Sequence, residues 1–282
     1  MSLQGMLRGR KAYKAHGKGR YAEALKLYEE AYAEGMSDPR HLLGYTVLLL
    51  RDRQYAKGRE ILVAMQKNPA LNPALKAQLF VNYAAAVYRM GELDKGIRLL
   101  ERQHAHEPSG LVYQTLGYLY VEKFAPENAP DFDALEAAER AAREAEGTDG
   151  APEEAWGERS LEPAPAQPGA RETWQAEKEK ALAFLKESID YDDEDSVCLD
   201  NMGQWLFRVE GDRAAARPWF DKAIAEKPSQ MDTLWFLSRY DLDGGNTGAA
   251  LEKLDQISEG RFSPLNYVTP ELVEAEIARL RG

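Results

Sequence analysis

The strongest constraint on this fold is a pattern that returns along the chain. "GRYAEALKLYEEAYAEG" (Gly19 to Gly35), "GELDKGIRLLERQHAHEP" (Gly91 to Pro108) and "GDRAAARPWFDKAIAEKP" (Gly211 to Pro228) each open on a glycine turn. A small residue follows five positions on (Ala24, Gly96, Ala216), then two bulky apolar residues, and each copy closes near a proline. "GNTGAALEKLDQISEG" from Gly245 sets Ala250, Leu254 and Ile257 in the same places without the proline. Self-similarity at a fixed period points to a repeat architecture, in which each unit buries its apolar face against its neighbours.

Upstream of these segments lies a second amphipathic stretch. "FVNYAAAVYRM" puts Phe80, Tyr83, Ala84 and Val87 on one helical face, with a small residue where another helix must approach. "VYQTLGYLY" does the same with Tyr113, Leu116, Gly117 and Tyr120, and "LDNMGQWL" with Leu199, Met202, Gly203 and Leu206. Two helices and a tight turn therefore recur about every 34 residues. The spaced small and bulky residues and the closing proline resemble the tetratricopeptide repeat, most clearly in the copies from Gly91 and Gly211. The resemblance implies an all-α, right-handed α-α superhelix of about six helix pairs, at residues 5–38, 39–72, 75–108, 109–194, 195–229 and 230–263. "TPELVEAEIARLRG" follows, with Thr269 as N-cap, Pro270 at the first helical position and Leu272, Ile277 and Leu280 as its apolar face. It reads as a capping helix at the end of the array, within residues 264–282.

The fourth copy is interrupted. Its first helix, Leu111 to Lys123, is clear, and completes a block of repeats over residues 1–124. The next segment with the right pattern is "EKALAFLKESIDYD", where Ala181, Phe184, Leu185 and Ser188 stand in for Ala216, Trp219, Phe220 and Ala223 of the following copy. The array then resumes over 174–263, so residues 125–173 read as an insert in the turn between two helices of one repeat. Loop-closure entropy rises only slowly with length, so such an insert is tolerated. It carries thirteen acids against four arginines, a net charge of minus nine. "DFDALEAAERAAREAEG" should form an exposed, frayed helix, and Gly147 to Ala170, with four prolines, should be flexible. Making 131–146 the second helix of the repeat is the poorer alignment, because alanine and arginine then occupy slots for bulky residues. The insert is expected to contain no core residue; a passive loop and an acidic occupant of an arginine-lined groove are both open.

The net charge of −11 argues against generic binding to nucleic acid. The first twenty residues run the other way, with six basic residues and no acid. That leaves a nucleic-acid-associated adaptor as a second reading. One cysteine, Cys198, excludes an internal disulfide framework. The first thirty residues hold no apolar stretch of signal-peptide length, and "YTVLLL" is far too short to span a bilayer, so a cytoplasmic, soluble protein is expected.

Chemistry-bearing motifs are thin. "GGNTGAA" lacks the lysine of a phosphate loop and follows a helix instead of a strand. His104 and His106 lie two apart, the wrong spacing for a helical metal pair. "YDDEDS" lacks the glycine and terminal glutamate of a calcium loop. "PAPAQP" reads as a linker. No catalytic, metal or cofactor site is expected, although an enzyme with an unrecognised site stays as a third reading.

The resemblance further implies a ligand groove along the concave face, lined by first helices at positions outside their packing stripe. Projecting the helical period nominates Tyr13, His16, Arg51, Asn82, Tyr88, Arg89, Gln114, Tyr118, Asn201, Gln204, Arg208, Trp235 and Arg239. Amides, arginines and aromatic rings suit a protein or peptide ligand. The carboxylate clamp known in this family looks absent, because Val81 and Ala85 occupy its slots and only Asn82 matches.

Overall fold

In the computed structural model, which describes residues 2–148 and 169–282, every regular element among the described residues is helical. The helices are α1 (Leu3–Gly17), α2 (Tyr21–Ala33), α3 (Pro39–Arg51), α4 (Tyr55–Met65), α5 (Pro73–Arg89), α6 (Leu93–His106), α7 (Gly110–Phe124), α8 (Phe132–Thr148), α9 (Ala170–Tyr191), α10 (Ser196–Gln204), α11 (Arg213–Glu226), α12 (Met231–Asp243), α13 (Thr247–Ser258) and α14 (Pro270–Arg281). The stretch 149–168, which includes most of the proline-rich part of the insert, lies outside the described residues.

Local chemistry sets these boundaries. Asp38, Asn72 and Thr269 each accept a hydrogen bond from a backbone amide of the following turn, and each is followed by a proline at the first helical position. Within pairs, the chain reverses at Gly19, Gly91, Gly211 and Gly245, all with φ between 70° and 81°. In the second pair that left-handed position is held by Arg53, at φ 59°.

Helices pair as α1/α2, α3/α4, α5/α6, α7/α9, α10/α11 and α12/α13. The first helices of successive pairs also pack on one another, from α1 through α3, α5, α7 and α10 to α12. Shared contacts along that row make it the inner wall of a superhelix. Gly203 marks one tight crossing: a Cβ there would sit 2.6 Å from the Phe220 ring. Gly117 marks another, where a Cβ would meet Asn201 at 2.9 Å and Leu185 at 3.1 Å. The apolar core runs along the array without a break in kind, from Tyr28 and Tyr45 through Leu119 and Trp205 to Phe220 and Phe236.

α9 buries Ala181, Phe184, Leu185 and Ser188 and packs on α7. α8 packs on α9, through Phe132 against Trp174 and through Arg171, which reaches Asp133 and Glu136. The expectation that 125–173 holds no core residue needs correcting at its edges. Ala125 is fully buried, Asn128 donates to the Glu122 carbonyl at 2.8 Å, and Glu127 accepts from Arg208 at 2.7 Å. Short polar segments beside a helix end can be tied down by one partner that a composition reading does not register.

Candidate functional site

The inner wall is crossed by a segment of the same chain. After α13 the backbone leaves helical geometry, and Arg261–Val268 passes over the first-helix row before α14 begins. This strap is built around a turn at Ser263–Asn266. The Asn266 amide donates to the Ser263 carbonyl at 3.1 Å, and the Asn266 side chain accepts from the Ser263 amide at 2.8 Å. Proline at the second turn position presets the required φ.

Two side chains of the wall hold the strap by its main chain. Arg89, at the end of α5, donates from Nε to the Pro264 carbonyl at 2.7 Å and from Nη2 to the Asn266 carbonyl at 2.9 Å. Asp232, in the first turn of α12, accepts from the Tyr267 amide at 3.1 Å and the Val268 amide at 3.0 Å, and from the Asn266 side chain at 3.1 Å. Side chains supply the rest. Leu265 packs beside Leu50, Ala85 and Ala86, and Tyr267 lies under the Arg208 guanidinium, 4.2 Å from its ring centre, and against Phe236. At the strap's start Arg261 stacks over Tyr21 of α2 and bonds its hydroxyl; just past its end Glu271 of α14 pairs with Arg53.

A layer of buried charge lies beneath. Arg208 sits in a π turn, Trp205–Val209, that continues α10; such turns are frequent at functional sites. It donates to Glu122 at 2.6 Å and to Glu127 at 2.7 Å, and its side chain is only 7% exposed. Burial opposes its charge, but Glu122 and Glu127 outweigh that and hold its pKa above the ordinary value. Tyr88 donates to the other Glu122 oxygen at 2.7 Å and meets the Tyr118 hydroxyl at 3.3 Å. Asp200 accepts from Thr233 at 2.6 Å and from Gln204 at 2.7 Å. Burial and the neighbouring Asp232 push the Asp200 carboxyl up to about 7. Asp232, with three N–H donors, is the better place for the charge the two share.

The thirteen residues nominated from sequence fall into four groups. Tyr88, Tyr118, Gln204 and Arg208 are brought together around Glu122, with Arg89 holding the adjoining strap. Asn82, Asn201 and Gln114 are bonded inside the wall, to Thr46, to the Gln114 carbonyl and to Asp195 respectively. Trp235 is buried under Arg239, which pairs with Glu276 of α14 and bonds Ser238. The remaining three stand apart. Tyr13 is exposed beside His41, His16 packs among Tyr21 and Tyr28, and Arg51 lies over Tyr21 at the edge of the cavities flanking the strap.

Two consequences correct the sequence reading. Of the arginines expected to attract the acidic insert, Arg239 already pairs with Glu276 and Arg89 holds two carbonyls, while Arg208 pairs with Glu122 of α7 and with one acid at the edge of the insert itself, Glu127. The strap itself, with Asp232, Glu122 and Glu276, was not among the candidates. Its apolar content, Phe262, Leu265, Tyr267 and Val268 in eight residues, is the signal that marks "RFSPLNYV" as something other than a solvated loop.

Helices in two rows, with the first of each pair turned inward, repeat through six pairs, four of them reversing at a left-handed glycine. This is the tetratricopeptide-repeat (TPR) fold. Among solved structures, the chain is similar to TTC0263, a thermophilic TPR protein in Thermus thermophilus, with TM-score 0.56 and 15% identity over 86% of this chain and 99% of that one. It is also similar to a monomeric mutant of IFIT1 with m7Gppp-AAAA, with TM-score 0.53 and 14% identity over 91% of this chain and 48% of that one. No family model matches the sequence, and no curated protein matches it. Among the described residues, no TPR helix is long and apolar enough to cross a membrane.

Proposed function

We propose that the chain is a non-catalytic scaffold that binds a protein or peptide on the concave TPR face. The observation that carries this reading is the strap. A non-helical stretch of polypeptide lies on that face and is held through its carbonyls and amides, so the wall has the donors and acceptors that a polypeptide ligand needs. TPR folds in general serve as interaction scaffolds.

Two observations weigh against the other readings. The one thiol, Cys198, is buried and its pKa is pushed up to about 12, chiefly by burial, which makes it a poor nucleophile. The IFIT1 structure contains m7Gppp-AAAA, but here Arg208 and Arg239 are matched by carboxylates, and Arg8 of the basic first helix is paired with Glu30 and Glu34. Cations committed in this way are poorly placed for phosphates.

A photo-crosslinking residue tests the reading. At Gln114 or Arg51, on the concave side, it should capture a protein partner in the native host, insensitive to nuclease. At Arg102 of α6 or Lys186 of α9, exposed on the second helices, it should not. Equal capture from both rows would place the binding surface elsewhere.

A further inference from the structure

The strap is not a close-packed part of the wall. Residues 262–267 are each only half-buried, and cavities of about 650 Å³ and 380 Å³ open on its two sides, the first against Gln114, Tyr118 and Asn201, the second against Leu50, Tyr55 and Arg89. Both are clefts open to solvent, so on those sides the segment lacks the packing that would fix it. Its end tethers are exposed as well: Arg53 and Glu271 are 59% and 61% exposed, in the range where ion pairs contribute little. What holds the strap is the pair of main-chain grips at Arg89 and Asp232 and the anchors at Leu265 and Tyr267.

Main-chain grips do not depend on which chain supplies the carbonyls and amides. Resting on the reading of the concave face as a polypeptide site, we propose that this face is a receptor for a proline-containing turn of the Ser-Pro-Leu-Asn-Tyr kind, and that the chain's own Ser263–Val268 occupies it until a partner segment of that chemistry displaces it. The carbonyl grip reads the turn, because Pro264 and Asn266 present their carbonyls to one guanidinium only when Ser263–Asn266 is folded back. The apolar side chain at the third turn position enters the Leu50, Ala85 and Ala86 surface. The amide grip reads the two residues after the turn. Because the occupant is tethered beside its site, its effective concentration is on the order of millimolar, and an external segment binds weakly until the tethered one is loosened.

The probe is a labelled synthetic peptide of residues 261–269, titrated into the full-length chain by fluorescence anisotropy. In Leu265→Ala, and more strongly in Pro264→Gly with Leu265→Gly, the peptide should bind at least tenfold more tightly than in the wild type. A scrambled peptide should not bind, and adding Arg89→Ala should abolish the gain. Helicity by circular dichroism identifies variants that stay folded. Should neither variant fold, the wild type still decides the matter: excess peptide should accelerate amide exchange at Tyr267 and Val268, which donate to Asp232. Equal affinity in wild type and loosened variants, equal binding of the scrambled peptide, or unchanged exchange in the wild type overturns the proposal. If the peptide experiments fail while crosslinks from Gln114 persist, the face binds partners without being self-occupied. If the peptide binds as described and no crosslink forms, the strap is an internal clasp and the scaffold reading falls.

Discussion

At the scale of single residues, the wall is set by a few side chains whose chemistry is decided by burial. Asp200 carries the clearest consequence. Its carboxyl is raised from 3.8 to about 7, so between those values the native chain holds a proton that the unfolded chain has released. Stability therefore falls as pH rises through that window. Asp200→Asn removes the effect, so its urea midpoint should differ less between pH 5 and pH 8 than that of the wild type. An unchanged difference would assign the slope to other groups. Arg208 makes a second case. Replacing it with alanine leaves Glu122 buried without its cation, which costs about 3 kcal/mol or more, read as a lowered urea midpoint. Arg208 and Arg239 were nominated as groove residues on residue type and period, and that reasoning could not tell an arginine facing a ligand from one facing a glutamate. Small residues at crossings were easier to read, because Gly117 and Gly203 can be placed from helical spacing alone. Gly203→Ala, with its Cβ directed at the Phe220 ring, should lower stability by roughly 1–3 kcal/mol. Unchanged thermal melting would mean that the ring can move aside.

Among the elements, most helices and their pairing are legible in the sequence, since the 3.6-residue stripe, the glycine reversals and the capping residues all state the same boundaries. α14 begins at the Thr269 cap read from sequence before Pro270, and the structure shows the same Asp-Pro and Asn-Pro starts at α3 and α5. The strap is different. It has no period, its hydrogen-bond partners on the helices lie 34 to 240 residues away in the chain, and nothing local announces Arg89 or Asp232 as its holders. α8 stands at the other extreme, with strong helix formers and little to bury. Removing 132–168 and joining the ends through a glycine-serine linker should change stability by less than about 1 kcal/mol, since among the described elements α8 packs chiefly on α9, through Phe132 against Trp174. Extending the same deletion back through Ala125 should cost clearly more, because it removes the Glu127 partner of Arg208 and a fully buried residue. Paired thermal melts of the two deletions check both statements. Equal melting would show that the edge of the insert carries no weight.

The molecule as a whole is held at more than nearest-neighbour contacts. In an open repeat array, stability is close to a sum of units and adjacent interfaces, and disturbance at one end fades within a repeat or two. Here Leu50 of α3 shares an apolar cluster with Leu265, a few residues before the cap of α14. Leu50→Ala, a buried truncation costing about 2–5 kcal/mol, should therefore speed amide exchange in α14 as well as in α3. Faster exchange confined to α3 and α4 would show that the strap transmits nothing. The strap also fixes something that other such arrays leave free. Repeat proteins gain and lose units easily, because a new pair only lengthens the stack. In this chain the eleven residues 259–269 must reach from the end of α13 to α5 and α2 and return to α14, and eleven residues span at most about 40 Å when fully drawn out. One further pair between α5 and α12 would move those landing points apart by about the 8–10 Å that separates packed helices, and the turn at Ser263–Asn266 has no slack to give without letting go of Arg89. The strap thus acts as a ruler, and a duplication or loss of one repeat in this gene would be judged by whether the last stretch of chain still reaches the first.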